Sequence, residues 1–228
     1  MSSPEARSED FSSPAPAVVV GLLIALFGNE IISRLDLSTR LATSPVGTYV
    51  VSDVIKWVIV AALFAIVILW ERRPLASIGL EMPSGRQIGG AMAAGVGAVV
   101  LGVVLTGLAV VALDLQEPSA LSDVGQLPFS IQVMVVLTAV ITEEIMWRGY
   151  PIERLAELTG RPWIGAAISA VVFLAVHFPD WGVAGAVPQS VFTVALVGVY
   201  MWSRNVVASM VTHGVINVLM ILVLPQLI

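Results

Sequence analysis

Long apolar runs broken by short polar stretches fill the chain, and the runs are too long for soluble helices. About 20 consecutive apolar residues are needed to cross a bilayer as a helix. The pattern predicts seven such spans, at 17–33, 46–70, 87–113, 129–150, 163–177, 184–202 and 206–224. The fourth is expected to continue as a helix beyond the bilayer surface through "PIERLAEL". The fold class is therefore all-α: a polytopic transmembrane helical bundle of about seven spans with a polar intramembrane cavity. Residues 1–16, rich in Ser, Pro and acids, read as a disordered N-terminal tail, and 17–228 as one membrane domain. The tail lacks the basic start of a signal peptide.

Composition agrees. The 228 residues are 57% hydrophobic and 12% charged, about half the charge of a soluble domain. Cysteine is absent, which excludes disulfides, thiolate nucleophiles and cysteine metal sites. Nothing in the net charge of −5 points to nucleic acid. Arginine outnumbers lysine ten to one, which suggests a GC-rich genome and a bacterial plasma membrane.

Basic residues set the expected orientation. Arg72, Arg73, Arg86, Arg154, Arg161 and Arg204 lie between spans on the side that also holds the N-terminal tail with Arg7, while the opposite side has Arg34 and Arg40. The N-terminus is expected in the cytoplasm and the C-terminus outside.

Within the third span, Gly90, Ala94, Ala98 and Gly102 recur every fourth residue. Small residues on one stripe let helices approach closely in lipid, so this is expected to be a packing seam. Asn29 and Glu30 lie near a span end and are expected to reach water.

Ionisable groups inside a bilayer cost about 2.5–3.5 kcal/mol each even on the lenient insertion scale. Such groups face a cavity or a partner. Asp53 and Lys56, three residues apart, are expected to pair on their own helix. In "ITEEIMWRGY", Glu144 and Arg148 stand at i, i+4 with the acid first, the favourable order for an ion pair. Glu143, about 100° round the helix, has no local partner. It is a candidate general base, set against the alternative that all three residues form one structural network. His177 closes "FLAVH", one turn after Phe173, and reads as a core histidine or a catalyst. His213 and Asn217 in "HGVIN" share a helical face and offer hydrogen-bond donors of the kind an oxyanion site uses.

These three stretches resemble the motifs Glu-Glu-x-x-x-Arg, Phe-x-x-x-His and His-x-x-x-Asn of the CPBP intramembrane proteases, also called the Abi family, which include the type II CAAX prenyl endopeptidases. The motifs run in order from Glu143 to Asn217. The resemblance implies a cavity open to the cytoplasm, and an endopeptidase acting on a membrane-associated or lipidated peptide or protein. It implies that Glu143 and His177 activate a water, that His213 and Asn217 hold the oxyanion, and that Glu144, Arg148 and Phe173 support them. Two other readings stand beside it: a non-catalytic scaffold or immunity factor, and a small proton-coupled transporter.

On metal, a catalytic zinc takes three protein ligands and a water. If Arg148 holds Glu144 and His213 serves the oxyanion, only Glu143 and His177 remain, which favours a mechanism with no cofactor. A zinc held by Glu143, Glu144, His177 and His213 is the alternative.

One expectation conflicts with the rest. Counted from its span start, His213 lies about 12 Å deep and His177 about 22 Å. Glu143 matches the first if the fourth span ends near Tyr150, and the second if it runs to Leu158.

Overall fold

The computed structural model describes residues 14–115 and 124–226, and every regular element among them is helical. The expected tail lies almost wholly outside the described residues. Seven helices are long and apolar enough to cross a membrane: Ala15–Arg34, Pro45–Trp70, Gly85–Leu113, Phe129–Thr159, Pro162–Pro179, Trp181–Ser203 and Val206–Gln226. We number these the first to seventh spans. The chain is an integral membrane protein.

The span starts follow from local chemistry. Ser44 Oγ accepts from the amide of Gly47 at 3.1 Å, and Asn205 Oδ1 from that of Ala208 at 2.9 Å. Ser84 and Gln87 form a reciprocal capping box. Each satisfies amides that a helix start leaves without a partner. Proline stands at the start of the second and fifth spans, where its missing N–H costs nothing. The fifth and sixth spans are joined by a turn at Gly182, whose φ of 59° and ψ of −164° only glycine adopts readily.

The fourth span is the most buried. Its Ile145, Met146 and Trp147 pack with Leu26 of the first span, Ile59 and Leu63 of the second and Phe173 of the fifth. A second cluster joins Ala98 of the third span, Phe192 and Leu196 of the sixth and Ile216 of the seventh. The small-residue stripe of the third span is a seam: Gly90 lies against the ring of Trp202 and Gly102 against that of Phe192. Val100, Val104, Leu108 and Val111 on the same helix are exposed, as expected of a lipid-facing surface.

The second, fourth and seventh spans each contain a widened π-type turn, at Ile66–Trp70, Ile145–Gly149 and Val218–Val223. The fourth span continues through its wide turn and through Pro151 to Thr159. Pro151 falls in the first turn of the segment that follows, where proline is tolerated.

The depth conflict is resolved by a recessed start of the seventh span. The amide of Val206 donates to the carbonyl of Gly79 at 2.8 Å, and Gly149 lies against both Ile78 and Val206. The seventh span thus begins beside Gly149, not beside Thr159. Glu143 lies about 9 Å from Gly149 and about 24 Å from Thr159 along the helix. The first value suits His213 and the second suits His177.

Candidate active site

Two adjacent glutamates point at different neighbours. Glu144 is fully buried and both of its oxygens are engaged. Oε1 accepts from Arg148 Nη1 at 3.1 Å and from His213 Nδ1 at 2.8 Å. Oε2 accepts from Ser209 Oγ at 2.5 Å. Among the described residues Glu143 has one hydrogen bond. Its Oε1 accepts from Lys56 Nζ of the second span at 3.0 Å, and Oε2 makes no hydrogen bond to the described residues. Glu144 and Arg148 form one hydrogen-bonded pair, and Glu143 bonds to Lys56 instead.

This corrects the expected Asp53–Lys56 pair. Lys56 reaches across to Glu143, and Asp53 Oδ2, although buried, has no hydrogen-bond partner among the described residues. Glu30 pairs with Arg34 near the span end at 2.7 Å and remains partly exposed there.

The fifth span meets the fourth through residues spaced four apart. Gly165 lies against the carbonyl of Ile152, and Ser169 Oγ donates to the carbonyl of Trp147. The ring of Phe173 packs edge-on to Trp147, with centroids 4.8 Å apart, and under the guanidinium of Arg148 at 4.2 Å. His177 lies next along this stripe, with its ring 5.5 Å from that of Trp147. Phe173 therefore supports Arg148 by a cation–π contact and sets the seat of His177. The motif contains only Phe173 and His177 of this stripe, and the period of four in Gly165, Ser169, Phe173 and His177 is the sequence signal for the other two.

Both histidines are oriented through Nδ1. In His177, Nδ1 lies 2.7 Å from the carbonyl oxygen of Phe173. A carbonyl only accepts, so Nδ1 carries the hydrogen and Nε2 presents a lone pair. In His213, the Glu144 carboxylate does the same work. Asn217 lies one turn further along the seventh span and is half-buried. Lys56, Glu143, Glu144, Arg148 and His213 are thus linked by contacts between the second, fourth and seventh spans, and His177 is joined to the fourth through Trp147.

The donor set does not fit a zinc. No group of three or more His, Asp or Glu side chains is arranged to hold a metal ion among the described residues. Glu144, with both oxygens bound to other side chains, cannot serve as a ligand without breaking them.

A second polar cluster lies toward the Thr159 end of the fourth span. Glu71 accepts from Tyr150 Oη at 2.6 Å and from Arg154 Nη2 at 2.6 Å, with both ionic partners fully buried. Arg154 also donates to the carbonyl of Ser77 at 3.1 Å. Glu153 accepts from Tyr200 at 2.6 Å and from Arg204 at 2.5 Å. Arg154 is therefore not a loop charge but a buried clamp between the fourth span and the segment after the second. Sequence spacing carried no sign of it, because Glu71 and Arg154 are far apart in the chain.

Comparison with known families finds a likeness in the region that holds these motifs. Residues 125–219 match the family model for the type II CAAX prenyl endopeptidase Rce1-like domain. All three motifs fall inside the matched stretch. No curated protein and no solved structure matches the chain.

Proposed function

We propose that this chain, as a carrier of the Rce1-like domain, is an intramembrane endopeptidase that hydrolyses a peptide bond in a membrane-associated or lipidated peptide or protein. The observation that carries this reading is the contrast between the glutamates: Glu144 has both oxygens bound, and Glu143 keeps Oε2. A carboxylate oxygen without a hydrogen-bond partner among the described residues, near two histidines oriented through Nδ1, suits water activation.

Glu143 Oε2 takes a proton from water as its oxygen attacks the scissile carbonyl. His177, through Nε2, orients that water and helps move the proton towards the leaving amine. His213 and Asn217 stabilise the oxyanion. Glu144 orients the His213 ring through Nδ1, and Asn217 donates from its amide. Glu144, Arg148 and Phe173 fix these groups without touching substrate. The mechanism needs no metal.

The basic side of the bundle, with Arg72, Arg73, Arg86, Arg161 and Arg204, faces the cytoplasm in this reading. The membrane is a bacterial plasma membrane. Substrate reaches the site from the bilayer or from the recess beside the seventh span.

The test is a comparison of membrane-associated peptides in cells expressing the wild type or Glu143→Gln at equal protein level. Uncleaved precursors accumulating only with Glu143→Gln support the reading. Cleavage retained by Glu143→Gln rejects it. A reporter fused after Ile228 that is active only in the cytoplasm rejects the orientation.

A further inference from the structure

Lys56 is the single lysine of the chain. Basic residues in membrane proteins ordinarily serve the cytoplasmic edge, yet this one stands within the second span, about 21 Å from its end at Trp70. That depth is close to the values for Glu143 and His177 counted from the same membrane side. Lys56 also lies outside the residues matched by the family model.

Its contact is selective. A carboxylate is available three residues away on the same helix, at Asp53, but the ammonium reaches Glu143 at 3.0 Å. The second span is fixed against the fourth at this level by a further bond, from Trp57 Nε1 to Thr138 Oγ1 at 3.2 Å. Lys56 is largely buried, with 16% of its side chain exposed, and that of Glu143 is 9% exposed. The geometry is therefore set by packing on both sides of the pair.

We propose that Lys56 is a positioning residue for Glu143, and this rests on the reading of Glu143 as the base. An ammonium has donors only. While it is bound to Oε1, that oxygen remains an acceptor, and a proton arriving from water is received at Oε2. As the water oxygen forms its bond to the carbonyl carbon, its O–H breaks and the proton moves to Oε2. The same proton later leaves Oε2 for the amine as the C–N bond breaks. Lys56 stays charged throughout. It aims Oε2 at the water and touches neither water nor peptide.

The experiment measures kcat and KM of Lys56→Met, Lys56→Arg, Glu143→Gln and the double variant Lys56→Met/Glu143→Gln. The probes are internally quenched peptides carrying an N-terminal palmitoyl chain, with the protein in phosphatidylcholine vesicles. Lys56→Met is expected to lower kcat by roughly 10²-fold, the lower end for removing a general base, with KM changed less than about threefold. Lys56→Arg should recover most of the rate, since it restores a donor to Oε1. The double variant should be no slower than Glu143→Gln alone, because groups acting as one unit are not additive. Thermal melting of the same four proteins gives a readout apart from hydrolysis: paired residues give non-additive Tm changes.

Lys56→Met within about twofold of wild-type kcat, while Glu143→Gln is inactive, overturns the proposal and leaves the peptidase reading intact. Additive Tm changes likewise overturn it. Glu143→Gln that remains active rejects the peptidase mechanism itself. If Lys56→Met fails to fold, Lys56→Gln takes its place under the same criteria.

Discussion

Oε1 of Glu144 lies 2.8 Å from Nδ1 of His213, a contact that ties the fourth span to the seventh at one depth. The same oxygen holds Arg148, so a single carboxylate sets two side chains. Glu144→Gln is expected to destabilise the protein by about 3–5 kcal/mol, the usual result of breaking a buried ion pair from one side. Thermal melting in detergent measures it. A melting temperature within a degree of wild type would show that Glu144 is not the keystone of this contact.

His213→Ala and Asn217→Ala should each lower kcat by about 10²–10³-fold, the effect of deleting one oxyanion donor. KM should move far less. Variants that raise KM and leave kcat alone would make these residues binding contacts.

Gly165→Ala puts a methyl 2.8 Å from the carbonyl oxygen of Ile152. Backbone cannot swing aside as a side chain does, so the fifth span must shift from the fourth. A loss of about 1–3 kcal/mol is expected, as for other overpacked sites. Because Ser169, Phe173 and His177 lie on the same stripe, kcat should fall as well. Gly97→Ala, which meets nothing within 4 Å, is the matched control and should retain wild-type stability and rate.

Glu71→Gln removes the partner of a fully buried Arg154. Stability should fall by about 3–5 kcal/mol, while the folded fraction keeps its kcat. Active-site titration of the folded protein separates the two effects. A large fall in kcat per folded molecule would join this cluster to the chemistry.

Treatment with a strong chelator, followed by its removal, should leave cleavage unchanged, because the donor set around Glu143 offers too few ligands for zinc. Elemental analysis of the purified protein accompanies the assay. Loss of activity restored by zinc would overturn the metal-free mechanism and bring His177 and His213 into the ligand set.

The spans were legible because each is a continuous apolar run, and the Glu144–Arg148 pair because helical spacing is local. The continuation of the fourth helix through "PIERLAEL" was legible too. Lys56–Glu143 was not. Sequence spacing offers Asp53 as the nearer partner, and only the packing of the second span on the fourth decides between them. The recess at Val206 was hidden for a similar reason, since it depends on the segment around Gly79 folding under the bundle edge. Metal-ligand geometry and the roles of single oxygens require coordinates.

The widened turn at Ile145–Gly149 sets a rotational phase. On one side of it, Glu143 and Glu144 must face Lys56 and His213. On the other, Tyr150 and Arg154 must face Glu71. One residue turns an α-helix by about 100°, so deleting a single residue here would misalign one set of partners whenever the other was satisfied. The fourth span works as a keyed shaft: the Glu71–Arg154 clamp and the paired glutamates are indexed to each other, and the wide turn is where that indexing is stored.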